Sequence, residues 1–92
     1  MTMKKAGQKD KIEIYTLDYC PFCKKALKFL EERGLIFTRH RIDDDEEGNF
    51  KMLAQKYNIQ GDVTVPQIIV NNNRVGGYTS LMALWEKGEI FR

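Results

Sequence analysis

The 92-residue chain carries 15 basic and 13 acidic residues, a net charge of +2 that is too slight a bias to select nucleic acid as a partner. At 42% hydrophobic and 30% charged it has the composition of an ordinary globular protein, long enough for one core. No apolar run approaches the ~20 residues of a membrane span, and the polar first eleven residues lack the apolar stretch of a secretory signal. They are expected to form a flexible tail ahead of a single domain over residues 12–92. That domain is expected in the cytoplasm, where thiols stay reduced.

Ile12 to Thr16 alternates with period two and predicts a strand. Pro21 suits the first turn of a helix. Phe22, Ala26, Phe29 and Leu30 then recur on one face, with Lys24, Lys25, Lys28, Glu31 and Glu32 opposite, and Gly34 ends the helix. Residues 35–42 predict a second strand, which Arg39, His40 and Arg41 mark as an edge. A helix over 47–57 is expected to bury Phe50, Leu53, Ala54 and Tyr57. Gln67 to Val70 predicts a third strand, Asn71-Asn72-Asn73 a turn, and Arg74 to Gly76 a short fourth strand. Thr79 or Ser80 is expected to cap a last helix with Leu81, Leu84 and Trp85 on its inner face. The order β-α-β-α-β-β-α predicts an α/β fold built from a parallel unit followed by an antiparallel hairpin.

The chemistry lies in Cys20-Pro21-Phe22-Cys23. A CxxC pair in a cytosolic chain is more often redox-active or metal-binding than a permanent disulfide. A structural zinc site needs four ligands, and this chain offers one CxxC and one histidine, so no metal is expected. Two core cysteines that merely happen to lie three apart remain the alternative on spacing alone. In disulfide exchange the nucleophile is a thiolate. Cys20 stands between the first strand and the helix start, facing unpaired N–H groups and the positive end of the helix dipole, which favour that charge. Lys24, Lys25 and Lys28 add to the field and Asp18 opposes it. Cys23 follows one turn later on the same face, within reach of a sulfur attached to Cys20. The expected roles are attack by Cys20 and resolution by Cys23.

Three separated motifs carry a family resemblance. Tyr15-Thr16 before the CPFC run, Thr64-Val65-Pro66, and Gly76-Gly77-Tyr78-Thr79 before an amphipathic helix are together similar to the glutaredoxins. The resemblance runs from about residue 12 to the C-terminus. It implies the thioredoxin fold, with a mixed four-stranded sheet flanked by helices, and glutathione as reductant and cosubstrate with no tightly bound cofactor. It implies a monomer acting on disulfide-bonded and glutathionylated proteins. It also implies a cis bond before Pro66, which turns the backbone of Val65 outward for an extended substrate to pair with. Phe22, Thr64, Val65, Pro66, Gly77, Tyr78 and Thr79 are the implied binding residues; Tyr78, Thr79 and Ser80 occupy the place where unpaired N–H groups suit the γ-glutamyl carboxylate.

The sequence departs from the family at three places. Many glutaredoxins carry a lysine where Leu17 stands, a basic residue where Asp62 stands and an aspartate where Thr79 stands. A lysine at position 17 is expected to lie near the path of the glycine carboxylate of glutathione. Lys24 and Lys56 are the candidates to compensate. Two further functions are open: an electron donor reduced by thioredoxin reductase, serving a partner such as ribonucleotide reductase, and an iron–sulfur cluster carrier. Pro21 and Cys23 speak against the second, one stiffening the loop and the other competing for Cys20.

Asp43 to Gly48 has the opening of a calcium loop, but its twelfth position is Ala54 and the match fails. His40 is expected to be solvated on its edge strand, and Trp85 to belong to the core.

Overall fold

The computed structural model describes residues 10–91, so residues 1–9 of the expected tail lie outside the described residues. The elements are β1 (Ile12–Thr16), α1 (Pro21–Glu32), β2 (Phe37–Arg41), a 3-10 turn (Asp43–Asp45), α2 (Glu46–Lys56), β3 (Gln67–Val70), β4 (Asn73–Gly76) and α3 (Tyr78–Glu86). The strands form one mixed sheet in the order β2-β1-β3-β4. β1 runs parallel to β2 and antiparallel to β3, and β3 and β4 form a hairpin. Arg39, His40 and Arg41 therefore do lie on an edge.

Strand alternation divides the interior in two. Ile12, Ile14 and Ile68 meet Ala26, Phe29 and Leu30 of α1 and Leu81 of α3. Tyr15 and Ile69 point the other way, toward Leu53 of α2, with Leu17, Cys20, Cys23 and Ile42. Ile14, Leu30, Leu53, Ile68 and Leu81 are all fully buried. Each contributes about 1.5–3 kcal/mol relative to exposure, so this two-sided burial fixes the sheet between its helices. Trp85 is half-buried, edge-on to Phe29 at 5.4 Å, and the Arg33 guanidinium covers both rings.

Local chemistry explains the element ends. Arg33 caps α1, and Gly34 follows in the left-handed region at φ +67°, letting the Leu35 N–H turn back to the Leu30 carbonyl. That turn delays β2 to residue 37. Asp45 accepts the Gly48 N–H at 3.2 Å, which starts α2 one residue earlier than the apolar pattern predicts. Asn71 and Asn72 both have positive φ, 55° and 68°, as a tight hairpin turn demands, leaving Asn73 to begin β4. Asn71 also ties down the chain ahead of β1: its side chain accepts the Lys11 N–H and donates to Asp10, both at 2.8 Å.

The last helix corrects an expectation. Its N-cap is Gly77, whose carbonyl accepts the Leu81 N–H at 3.0 Å, and no side chain caps it. Thr79 and Ser80 therefore sit inside the first turn. The backbone itself decides this: Gly76 holds φ +115°, a conformation that excludes a side chain, and so aims Gly77 into the helix.

Candidate active site

Cys20 is the N-cap of α1. Its Sγ accepts the Cys23 N–H at 3.2 Å, and its carbonyl accepts the Lys24 N–H at 3.2 Å. The cap role that Ser or Asp fills elsewhere is thus taken by a sulfur, with the helix dipole pointing at it. Both cysteines are free thiols. Cys20 is 8% exposed and Cys23 1%, so any reagent meets Cys20 first. Burial pushes the Cys23 thiol up to about 12, reinforced by its hydrogen bond and charge interaction with Cys20.

Across from the dithiol, Val65-Pro66 is a cis peptide, as the resemblance implied. The Cys20 thiol donates to the Val65 carbonyl at 3.5 Å, which places the sulfur against this loop. Beside it lies an open cleft of about 220 Å³ lined by Phe22, Thr64, Val65, Pro66, Gly77, Tyr78 and Thr79. Three chain segments far apart in sequence are gathered here, and they are the seven residues named from the motifs. The Phe22 and Tyr78 rings face each other with centroids 6.1 Å apart, and Lys25 lies 5.1 Å over the Phe22 ring. A Cβ on Gly77 would meet the Pro66 carbonyl at 3.6 Å, an ordinary contact, so space rather than strain marks this position.

Several side chains stand elsewhere than their sequence pattern predicts. Phe22 is half-exposed at the cleft instead of joining the inner face of α1, because Cys23 takes the buried position beside Ala26. Leu17 points inward, 4% exposed, and packs with Tyr15, Cys20, Cys23 and Ile42. It lines the core below the dithiol and not the cleft. Lys28 pairs with Glu32 at 3.9 Å and Lys56 lies over the Tyr57 ring. Lys25 meets the cleft wall through the Phe22 ring, and Lys24 acts with the arginines on Asp18.

The rim on the α2 side was not foreseen. The Asp18 carboxylate accepts from Arg41 Nε at 3.0 Å and from Arg39 Nη2 at 3.3 Å, and also pairs with Arg41 Nη2. The hydrogen bond from Arg41 holds the Asp18 carboxyl below the usual carboxylate range. Its charge is thus met by two arginines, which weakens its opposition to a thiolate at Cys20. Asp43 accepts the Asp18 N–H at 2.9 Å, and the Tyr19 hydroxyl donates to the Glu46 carboxylate at 3.0 Å. The residues before Cys20 are therefore tied to the start of α2. His40 is not freely solvated: its ring stacks on Tyr15 at 4.6 Å and its Nε2 lies 3.0 Å from Glu13. Strand register brings His40 to Tyr15 and Glu13, and the path of loops brings Asp18 and Tyr19 to residues at and beyond the end of β2, so no local pattern announces them.

The glutaredoxin family model matches residues 12–75. A probable glutaredoxin of Synechocystis is 39% identical over 84 residues, 91% of this chain and 74% of the relative. Glutaredoxin 3 of Escherichia coli K12 is 35% identical over 77 residues, covering 84% and 88% of the two chains. The crystal structure of glutaredoxin 1 from Francisella tularensis superposes with a TM-score of 0.75 at 30% identity, over 86% of this chain and 95% of that one. With its CxxC dithiol at a helix start, and its mixed sheet and three helices in the thioredoxin fold, this chain belongs to the glutaredoxin family of thiol–disulfide oxidoreductases.

Proposed function

We propose that the chain reduces protein disulfides and glutathione mixed disulfides, and that glutathione restores its dithiol. The observation that carries this reading is the cleft whose Val65 wall also touches the Cys20 sulfur. At about 220 Å³ it is smaller than the ~300–1,000 Å³ of enclosing small-molecule pockets, and it is open. Such a groove suits a short peptide lying across it. In the proposed pose the Val65 backbone pairs with the cysteinyl part of glutathione like an added strand. The N–H groups of Tyr78 and Thr79 at the start of α3 receive the γ-glutamyl carboxylate. Phe22, Thr64, Pro66 and Gly77 complete the walls.

The reaction balances with these groups alone. The Cys20 thiolate attacks one sulfur of the substrate disulfide, forming a mixed disulfide and expelling the other sulfur as a thiolate. Cys23, deprotonated, attacks Cys20 Sγ, forming the Cys20–Cys23 disulfide and releasing the second thiolate. One glutathione thiolate then opens that disulfide at Cys20, and a second removes the first as glutathione disulfide, leaving both thiols reduced. On glutathionylated proteins the Cys20 thiolate takes the glutathionyl sulfur and expels the protein thiolate. A free glutathione thiolate then attacks that glutathionyl sulfur, releasing glutathione disulfide and the Cys20 thiolate, and Cys23 is dispensable. Both sulfurs and the cleft residues belong to one chain, which supports a cycle run by a monomer of the 12–92 domain. Its proposed setting is the reducing cytoplasm, with glutathione as cosubstrate and no bound cofactor. Among the described residues no helix is long and apolar enough to cross a membrane.

The deciding experiment supplies the oxidised protein with NADPH and either glutathione plus its reductase or thioredoxin reductase. Faster reduction by glutathione is the expected result. Reduction by thioredoxin reductase alone would replace this reading with that of a dedicated electron donor.

A further inference from the structure

Gln67 is a polar side chain only 1% exposed, at the first position of β3 directly after Pro66. Its Nε2 donates to the Thr64 carbonyl at 2.8 Å, and its Oε1 accepts from Arg74 Nε at 2.9 Å. The amide orientation is forced, because a carbonyl only accepts and a guanidinium only donates. The Gln67 backbone is held in the ladder opposite Tyr15, and Arg74 belongs to β4. One end of the relay is thus the sheet, and the other is the loop that forms a wall of the cleft.

We infer that Gln67 is a positioning residue for substrate binding, holding the Thr64-Val65-Pro66 loop in register through the Thr64 carbonyl. The inference rests on the reading that the disulfide substrate lies in this cleft. Thr64 has two jobs to divide: its carbonyl is turned inward to Gln67, which leaves the adjoining Val65 peptide directed at Cys20 and the cleft. Loss of the strap lets this peptide plane rotate, and a substrate must then restore the order when it binds. The Cys20 sulfur does not depend on the strap in the same way, since its cap bond comes from Cys23 within α1. The effect should therefore fall on substrate affinity and spare thiol chemistry. A buried glutamine serving only stability would produce no such split.

The test uses Gln67→Met, which fills the same space without an amide, and Arg74→Met, an exposed change that removes only the outer donor. Pre-reduced protein is mixed with excess disulfide in single turnovers. Half-saturation and limiting rate are read with a glutathionylated peptide and with a peptide carrying an internal disulfide. The small disulfide 2,2′-dithiodipyridine reports Cys20 alone. For Gln67→Met, half-saturation is expected to rise about fivefold to tenfold, the loss of one buried hydrogen bond. The limiting rate and the dithiodipyridine rate should stay within about twofold of the parent. Arg74→Met should shift half-saturation the same way by about twofold, and decides the matter if Gln67→Met does not fold. Unchanged half-saturation, or a parallel loss of the dithiodipyridine rate, would overturn the inference. A parent that oxidises with the disulfide peptide but ignores the glutathionylated one sinks the glutathione reading alone. The comparison then stands on the disulfide peptide.

Discussion

The Cys23 N–H reaches Cys20 Sγ at 3.2 Å, while the Cys23 sulfur itself is buried beneath it. One residue therefore caps the Cys20 sulfur with its backbone and keeps its own sulfur buried. That geometry supports the proposed order, in which Cys20 reacts first and the buried Cys23 follows.

Alkylation should respect this order. With iodoacetamide near neutral pH, Cys20 is expected to be labelled at least about tenfold faster than Cys23, since the reactive species is an accessible thiolate. Burial holds Cys23 in its neutral form. Peptide mass mapping after short exposure reads the ratio, and preferential labelling of Cys23 would reverse the assigned roles.

Serine substitutions should separate the two thiols. Cys20→Ser is expected to abolish both protein disulfide reduction and deglutathionylation. Cys23→Ser should lose the first and keep a rate on the order of the parent for the second, because glutathione replaces the resolving thiol. Equal loss of deglutathionylation in the two variants would rule out the one-thiol route.

Alkaline stability should carry the mark of the buried thiol. In the unfolded chain a thiol loses its proton near pH 8.5, whereas in the folded reduced protein Cys23 keeps it up to about 12. Across that window the folded state binds more protons than the unfolded, so stability falls as pH rises. Tyr15, also pushed up to about 12 by burial, adds to the fall from about pH 10 upward. Urea midpoints of the reduced protein are expected to drop between pH 9 and about 11, and Cys23→Ala should flatten the first part of that drop. An equal slope in the variant would show that Cys23 is not responsible.

Leu17→Lys tests how the core below the dithiol meets the cleft. The inward position of Leu17 means the lysine stem must take over its packing and carry the ammonium past the loop to water. A stability loss of about 1–2 kcal/mol is expected from the apolar area given up. The Michaelis constant for glutathione should fall about 1.5–5-fold from one screened ion pair, a gain that shrinks as salt is raised. Melting curves and steady-state assays at two salt concentrations read both. A stability loss with no change in the Michaelis constant would place the ammonium away from the glutathione carboxylates.

By itself the sequence determined the element order, the strands and helices that make the core, and the placing of Cys20 and Cys23 at a helix start. These are short-range matters, written in periods of two and 3.6 residues, in Pro21 and Gly34, and in a spacing of three. The motif residues of the cleft were also legible, through resemblance rather than through periodicity. Only the tertiary structure decided which way Leu17 and Phe22 face: the helical period puts Phe22 on the inner face of α1, but Cys23 takes the buried place there, and Leu17 lies in a loop to which no period applies. It alone joined Asp18 to Arg41 across 23 residues, Tyr19 to Glu46 across 27, and the Cys20 sulfur to Val65 across 45. It alone showed that Gln67, seven residues from Arg74, spans the hairpin to hold Thr64. Such pairs are set by strand register and by the path of loops over the sheet, and a one-residue slip in either would separate them while leaving every local pattern unchanged.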